Sequence, residues 1–298
     1  MGQKDLAEKN LEFYPDVFAD IVNALLYEGK PVVNALTLHP APTETLYHSK
    51  TGRIRNQFHD VSKYLMQNGS IQIQYTLENE TRVKYRMVLR KAGYTGAVYR
   101  EQLDRGKIFP VIGIVLYWGK KKWRAPRSMH QLLKGSLIQD TDRNYIDDLK
   151  LHVFEMAHLP RKVRERFRSD IRIVVDYLTE GADYAPTKQK IRHTEALLLL
   201  LEALTGDARY HDILPEILKQ EEKGGAITMC ELIDKYEKRG IQKGIQRGIQ
   251  KGIQCGTEST TLSSLQKLMK NLNLPLQQAM TVLEIPEEEQ QKYMRLIG

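Results

Sequence analysis

Residues 71–82 read IQIQYTLENETR and alternate strictly. Ile71, Ile73, Tyr75 and Leu77 fall on one side of an extended chain; Gln72, Gln74, Thr76, Glu78 and Glu80 fall on the other. Period-two alternation of this length predicts a half-buried β-strand. Glu and Asn are poor strand formers that ordinarily sit at a fraying end. Two carboxylates nevertheless end this strand on one side, about 7 Å apart by strand geometry. Paired acids there are either simply solvated or hold something.

Upstream, residues 54–66 (IRNQFHDVSKYLM) read as a strand that pairs with 71–78 through an Asn68-Gly69 turn. That pairing puts Asp60 beside the acidic end. Downstream, residues 82–103 read as a basic helix, and 108–118 (IFPVIGIVLYW) as a strand buried on both faces. LHVFEM, 151–156, reads as another strand. Before the hairpin, an amphipathic helix opens at Pro15 with Val17, Phe18, Ile21, Val22, Leu25 and Leu26 as its stripe, and Gly29 ends it. Residues 30–52, with Pro31, Pro40, Pro42 and Gly52, read as loop. After about residue 160 helical patterns take over, as in IRIVVDYL and TEALLLLLEAL.

Length and charge narrow the class. A chain of 298 residues with 41% hydrophobic and 28% charged residues builds one large or two ordinary globular domains. Its apolar runs fall short of the ~18 residues of a membrane span, and MGQKDLAEKN lacks the apolar middle of a secretory signal. Cys230 and Cys255 fit a reducing compartment and offer no zinc spacing. A cytoplasmic protein is expected. The net charge is +8, and residues 82–127 hold thirteen Lys or Arg against Glu101 and Asp104. Such a run is a solvated face or, beside an acidic pair, a cradle for a polyanion over a metal.

RGIQKGIQRGIQKGIQCG, residues 239–256, is a tetrapeptide repeat of Ile, Gly and Lys/Arg registers. On a helix each register drifts about 40° per repeat. Its five glycines (240, 244, 248, 252 and 256) cost about 4–5 kcal/mol against alanine. The stretch is therefore a linker, or a helix whose glycine stripe admits a partner and supports a homo-oligomer. Beyond it, 260–297 reads as short helices broken by Pro275 and Pro286.

Other constellations carry less. His59 is metal company for Asp60 or a structural histidine, and His39 and His48 are too scattered to join it. Cys230 has no readable His partner, and glycine patterns for nucleotide phosphates are absent. Tyr117, Trp118 and Trp123 near Lys120, Lys121 and Lys122 are either base-stacking groups or core.

FHDVSKYL (58–65), IQYTLENET (73–81), YRMVLRKAGY (85–94), FPVIGIVLYWG (109–119) and PRSMHQLL (126–133) together resemble the Rpn family of recombination-promoting nucleases and transposase-like proteins. These belong to the PD-(D/E)XK phosphodiesterase superfamily. The similarity runs in order from about Asp5 to about residue 210, and the repeat with a helical tail also recurs in that family. Asp60 and Glu78 match the family's Asp and the Glu of its Glu-x-Gln strand motif; Glu80 stands where Gln is usual. Arg90 and Tyr94 match an Arg and a Tyr on the next helix, and Asp20 an acid on the first helix.

The resemblance implies an α/β, restriction-endonuclease-like core, with a mixed sheet flanked by helices, over residues 1–215. A repeat segment (216–258) and a helical tail (259–298) follow. It implies a DNA endonuclease dependent on Mg²⁺ or Mn²⁺ and linked to recombination or mobile elements. Asp60 and Glu78 are then metal ligands, and Glu80 orients or deprotonates the water. Arg86, Arg90 and Lys91 then contact DNA, and Asp20 and Tyr94 support the site. Because Glu80 adds a charge opposing phosphate, a DNA-binding or assembly protein that has lost cleavage stays open as the alternative.

Overall fold

The structure, a computed structural model, describes residues 3–48, 54–136 and 139–297. Its contacts divide the chain into Met1–Ile233 and Asp234–Gly298. In chain order the first unit runs α1 (Gln3–Phe13), α2 (Pro15–Leu26), β1 (Leu38–Pro40), β2 (Glu44–His48), β3 (Ile54–Phe58), β4 (Val61–Gln67) and β5 (Ser70–Glu80). Then come α3 (Met87–Arg105), β6 (Val111–Tyr117), α4 (Met129–Leu133), β7 (His152–Glu155), α5 (Arg161–Arg164), α6 (Ile171–Glu180), α7 (Thr194–Thr205) and α8 (Arg209–Glu222).

The expected hairpin forms. Asn68 and Gly69 take φ of 51° and 74°, the pair of positive values that a tight type I′ turn demands. Val61 faces Leu77 across it, and Gln67 faces Ser70. The hairpin sits within a five-stranded mixed sheet of order β1-β4-β5-β6-β7. β1, β4 and β5 are antiparallel neighbours; β5, β6 and β7 run parallel. A parallel neighbour requires a crossover, and α3 supplies it between β5 and β6. β6 is the buried strand expected from its apolar run, with Ile114, Val115 and Leu116 fully covered.

Three expectations need correction. Residues 54–66 are two strands. The chain leaves a small β2–β3 sheet and enters the large one at His59-Asp60, where the His59 amide donates to Thr43 and the Asp60 amide to Leu77. Residues 30–52 contain β1 and β2 as well as loop; β1 is a sheet edge, where Pro40 costs no ladder bond. From Gln74 to Glu80 the polar side of 71–82 is not solvated. Gln74, Thr76, Glu78 and Glu80 are at most 3% exposed, because the crossover lays α3 over that side.

The helix is built to cover charge. Met87, Val88, Lys91, Tyr94, Val98 and Gln102 are buried along it, at helical spacing. Lys91 lies so close to the sheet that a β-carbon on Gly113 would stand 1.6 Å from its Nζ. The other side of β5 packs toward α2, and Tyr75 and Tyr27 hydroxyls lie 2.7 Å apart there.

α9 (Met229–Leu272) is one helix of 44 residues, so the repeat is helical throughout. Helical sequence on both sides means that the glycines only have to propagate a helix already nucleated. α10 (Leu276–Val282) and α11 (Glu287–Ile297) complete the second unit, where Leu265, Ala279, Met280, Ile285 and Tyr293 form a core. Among the described residues, no helix is long and apolar enough to cross a membrane.

Candidate active site at the end of the central strand

Glu80, Tyr117 and Glu155 stand in one row across the parallel strands, at their carboxyl ends. Two basic segments leave the sheet there. Residues 81–86 follow β5 with Arg82, Lys84 and Arg86 exposed. Residues 118–127 follow β6 with Lys120, Lys121, Lys122 and Arg124 exposed. The second segment is tied down: Glu155 accepts from the Trp123 amide (2.8 Å) and from Arg127 (2.7 Å). Trp118 and Trp123 are core, 3% and 6% exposed. The topology thus brings the two flanks of the basic run to the acidic strand end.

Glu78 and Glu80 point into an ion-pair network under α3. The Arg90 guanidinium reaches both, at 2.9 Å from Glu80 Oε1 and 3.5 Å from Glu78 Oε2. Lys84 pairs with Glu80 at 2.7 Å. His59 Nδ1 lies 2.7 Å from Glu78 Oε1, with both side chains 1% exposed. The Tyr94 hydroxyl accepts from Arg90 Nε, and its ring meets the His59 ring edge-on at 5.1 Å. Burial raises the Glu80 carboxyl above its usual range, and Lys84 and Arg90 pull the other way. Burial also lowers the Lys91 ammonium to about 8, against the pull of Glu78.

Asp60 joins this group from the side. Its Oδ2 accepts from the Asn79 amide at 2.6 Å, and Oδ1 pairs with Lys9 of α1 at 2.7 Å. The charges of Glu78 and Asp60 both act to raise the Tyr94 phenol, whose main cause is burial. Asn79 in turn donates to Glu12 (2.7 Å) and accepts from the Trp118 indole (2.7 Å). Among the described residues, no group of three or more His, Cys, Asp or Glu is arranged to hold a metal ion.

The residues singled out in the sequence divide by place. Asp60, Glu78, Glu80, Arg90 and Tyr94 are brought together. Arg86 is exposed on the neighbouring segment. Lys91, expected to face DNA, is 5% exposed and turned onto Thr76. It sits one residue past Arg90, on the side of the helix that faces the sheet. Asp20 is engaged elsewhere, accepting from the Arg168 and Ser169 amides ahead of α6. Lys9, Lys84 and Glu12 were not singled out. Only Lys84 carried a signal, four residues beyond Glu80.

The fold and site describe an α/β protein whose mixed sheet ends in a buried, ion-paired carboxylate cluster. Residues 52–199 match the family described as putative transposase, YhgA-like. No curated protein and no solved structure gives a significant match.

Proposed function

We propose that the first unit is a metal-dependent DNA endonuclease of the restriction-endonuclease-like type, serving recombination or mobile elements. The observation that carries this reading is the meeting of Glu78 and Glu80 with two exposed basic segments at the carboxyl ends of parallel strands. Ligands of sheets with parallel strands bind at that end, and exposed cations beside it suit a phosphate backbone. The match of residues 52–199 to a family described as putative transposase supports DNA as the substrate.

The donor set suits Mg²⁺, which takes one or two carboxylates and completes its shell with water and substrate phosphate. Asp60 and Glu78 would hold the ion, so the lack of a three-ligand group among the described residues does not conflict with the site. When bound, the ion supplies a polarised phosphate and a water acidic enough to attack near neutral pH. The chain's own groups do the rest. His59 orients the Glu78 carboxylate through Nδ1. Arg90, tied to Glu78, Glu80 and Tyr94 yet 36% exposed, bridges the two glutamates and offers its open side to phosphate. Glu80, held by Lys84 and Arg90, orients the attacking water as a hydrogen-bond acceptor. Arg82, Arg86, Lys120, Lys121 and Lys122 carry the backbone.

A DNA-binding protein without cleavage is the second reading. It draws on Glu80, which engages both Lys84 and Arg90 and so spends cations that phosphate would need. Supercoiled plasmid incubated with the protein and Mg²⁺ or Mn²⁺ separates the two. Relaxed or linear product from the parent, and at least about 100-fold less from Glu78→Gln, is the expected result. Binding without cutting would favour the second reading, and equal cutting by Glu78→Gln would discard the site.

A further inference from the structure

The segment of α9 from Lys238 to Thr257 carries Lys238, Arg239, Lys243, Arg247 and Lys251 and has no Asp or Glu. Exposed helices ordinarily mix signs, because acids and bases four residues apart stabilise one another. This one carries a single sign over about five turns. Arg239, Arg247 and Lys251 are exposed, and Lys243 is half-buried. Gly244, Gly248, Gly252 and Gly256 have nothing within 4 Å of an added β-carbon, so that side is bare as well.

We propose that this stretch is a second nucleic-acid contact, which binds the phosphate backbone of duplex DNA independently of sequence. The choice of DNA over another polyanion rests on the reading of the first unit; the charge argument does not. Successive cations of the repeat stand about 6 Å apart along the helix and turn about 40° from one to the next. DNA carries a charge every ~1.7 Å of its axis, so the stripe meets phosphate without a matched register. Gln242, Gln246, Gln250 and Gln254 flank it with neutral donors. Because the stripe turns through about 120° from Arg239 to Lys251, a duplex touches two or three of its four cations at once. Ile241, Ile245, Ile249 and Ile253, 56–64% exposed, lie about 160° around the helix from the cations at each level. DNA on the basic side leaves them untouched. Charge favours DNA over a second copy as the occupant of the basic side, since copies paired through that side would bring like charges together.

The test uses the full chain, a fluorescent duplex and no divalent ion, so that cleavage plays no part. Binding is followed by anisotropy from 50 to 300 mM NaCl, settings chosen around the range where phosphate contacts dominate. The quadruple variant Arg239→Gln, Lys243→Gln, Arg247→Gln, Lys251→Gln keeps good helix formers. It should lower the slope of log K against log salt by about 2–3, at about 0.9 per lost contact. The charge-conserving pair Arg239→Lys, Arg247→Lys should keep the parent slope, which excludes a folding defect. An unchanged slope in the quadruple variant overturns the proposal, as does a parent that does not bind duplex DNA. It is also overturned if Ile245→Gln with Ile249→Gln yields a monomer from a dimeric parent and lowers the slope equally, because a second copy is then the occupant. A parent that keeps its salt slope but fails to cut plasmid counts against the nuclease reading alone.

Discussion

In β5 the charged side chains are Glu78 and Glu80, covered by a helix and each held by two basic partners. In residues 238–257 of α9 they are Lys and Arg of one sign, on a stretch that faces solvent along most of its length. The contrast separates two uses of charge. A buried carboxylate loses its hydration and is tolerable only when paired and hydrogen-bonded, so its partners become part of the fold. An exposed cation keeps its hydration and adds little to stability; its field, summed along the stripe, acts on other molecules. Substitutions in the first region should therefore disturb stability and chemistry together, and those in the second should move binding alone.

The strongest break in that contrast is Glu78→Ala. It strands His59 and Arg90 beside an emptied site, so the first unit should lose about 3–5 kcal/mol in denaturant titration as well as all cleavage. A variant as stable as the parent would mean that the network is not holding the fold. His59→Gln comes next. If His59 orients Glu78, cleavage and Mn²⁺ affinity by calorimetry should both fall about 10–100-fold, with a smaller loss of stability than in Glu78→Ala; an unaltered metal affinity would make the histidine structural only.

Glu80→Gln tests the departure from the family pattern. It keeps an acceptor for Lys84 and Arg90 and removes a charge that opposes phosphate. Activity should stay within about tenfold of the parent or rise. An active parent silenced by this change, while still binding metal and DNA, would make Glu80 an obligatory base.

Glu12 gives a pH signature. Burial pushes its carboxyl well above the usual range, with Asn79 pulling back. The folded state therefore takes up that proton more readily than the unfolded chain. Glu12's contribution is fully present in acid and is lost as pH rises through the raised value. Glu12→Gln should gain on the order of 1 kcal/mol at pH 8 and much less at pH 4, read from denaturation midpoints; equal gains at both would assign the effect to packing. The smallest effect belongs to the other region. Gly248→Ala, with open space at its β-carbon, should raise amide-exchange protection in α9 by about 0.8–1 kcal/mol. A loss of protection would reveal a close contact on that side.

Local signals carried much of this. The alternation of 71–82, the Asn68-Gly69 turn and the apolar run of 108–118 are properties of neighbouring residues, and each became the element that it predicts. That Asp60, Glu78, Glu80, Arg90 and Tyr94 form one candidate site was legible because order and spacing resemble a family. The rest depended on contacts distant in sequence. Nothing near Glu78 announces that α3 will bury it, and nothing near Lys9 announces Asp60, 51 positions away. Lys91 looked like its neighbour Arg90 until the helix turned one toward the sheet and left the other at the rim. Helicity of the repeat was undecidable from its glycines, because nucleation came from residues outside it. Period, turn chemistry and net charge are written in adjacent residues; burial and ion pairing depend on which elements pack, and packing is a property of the assembled sheet and helices.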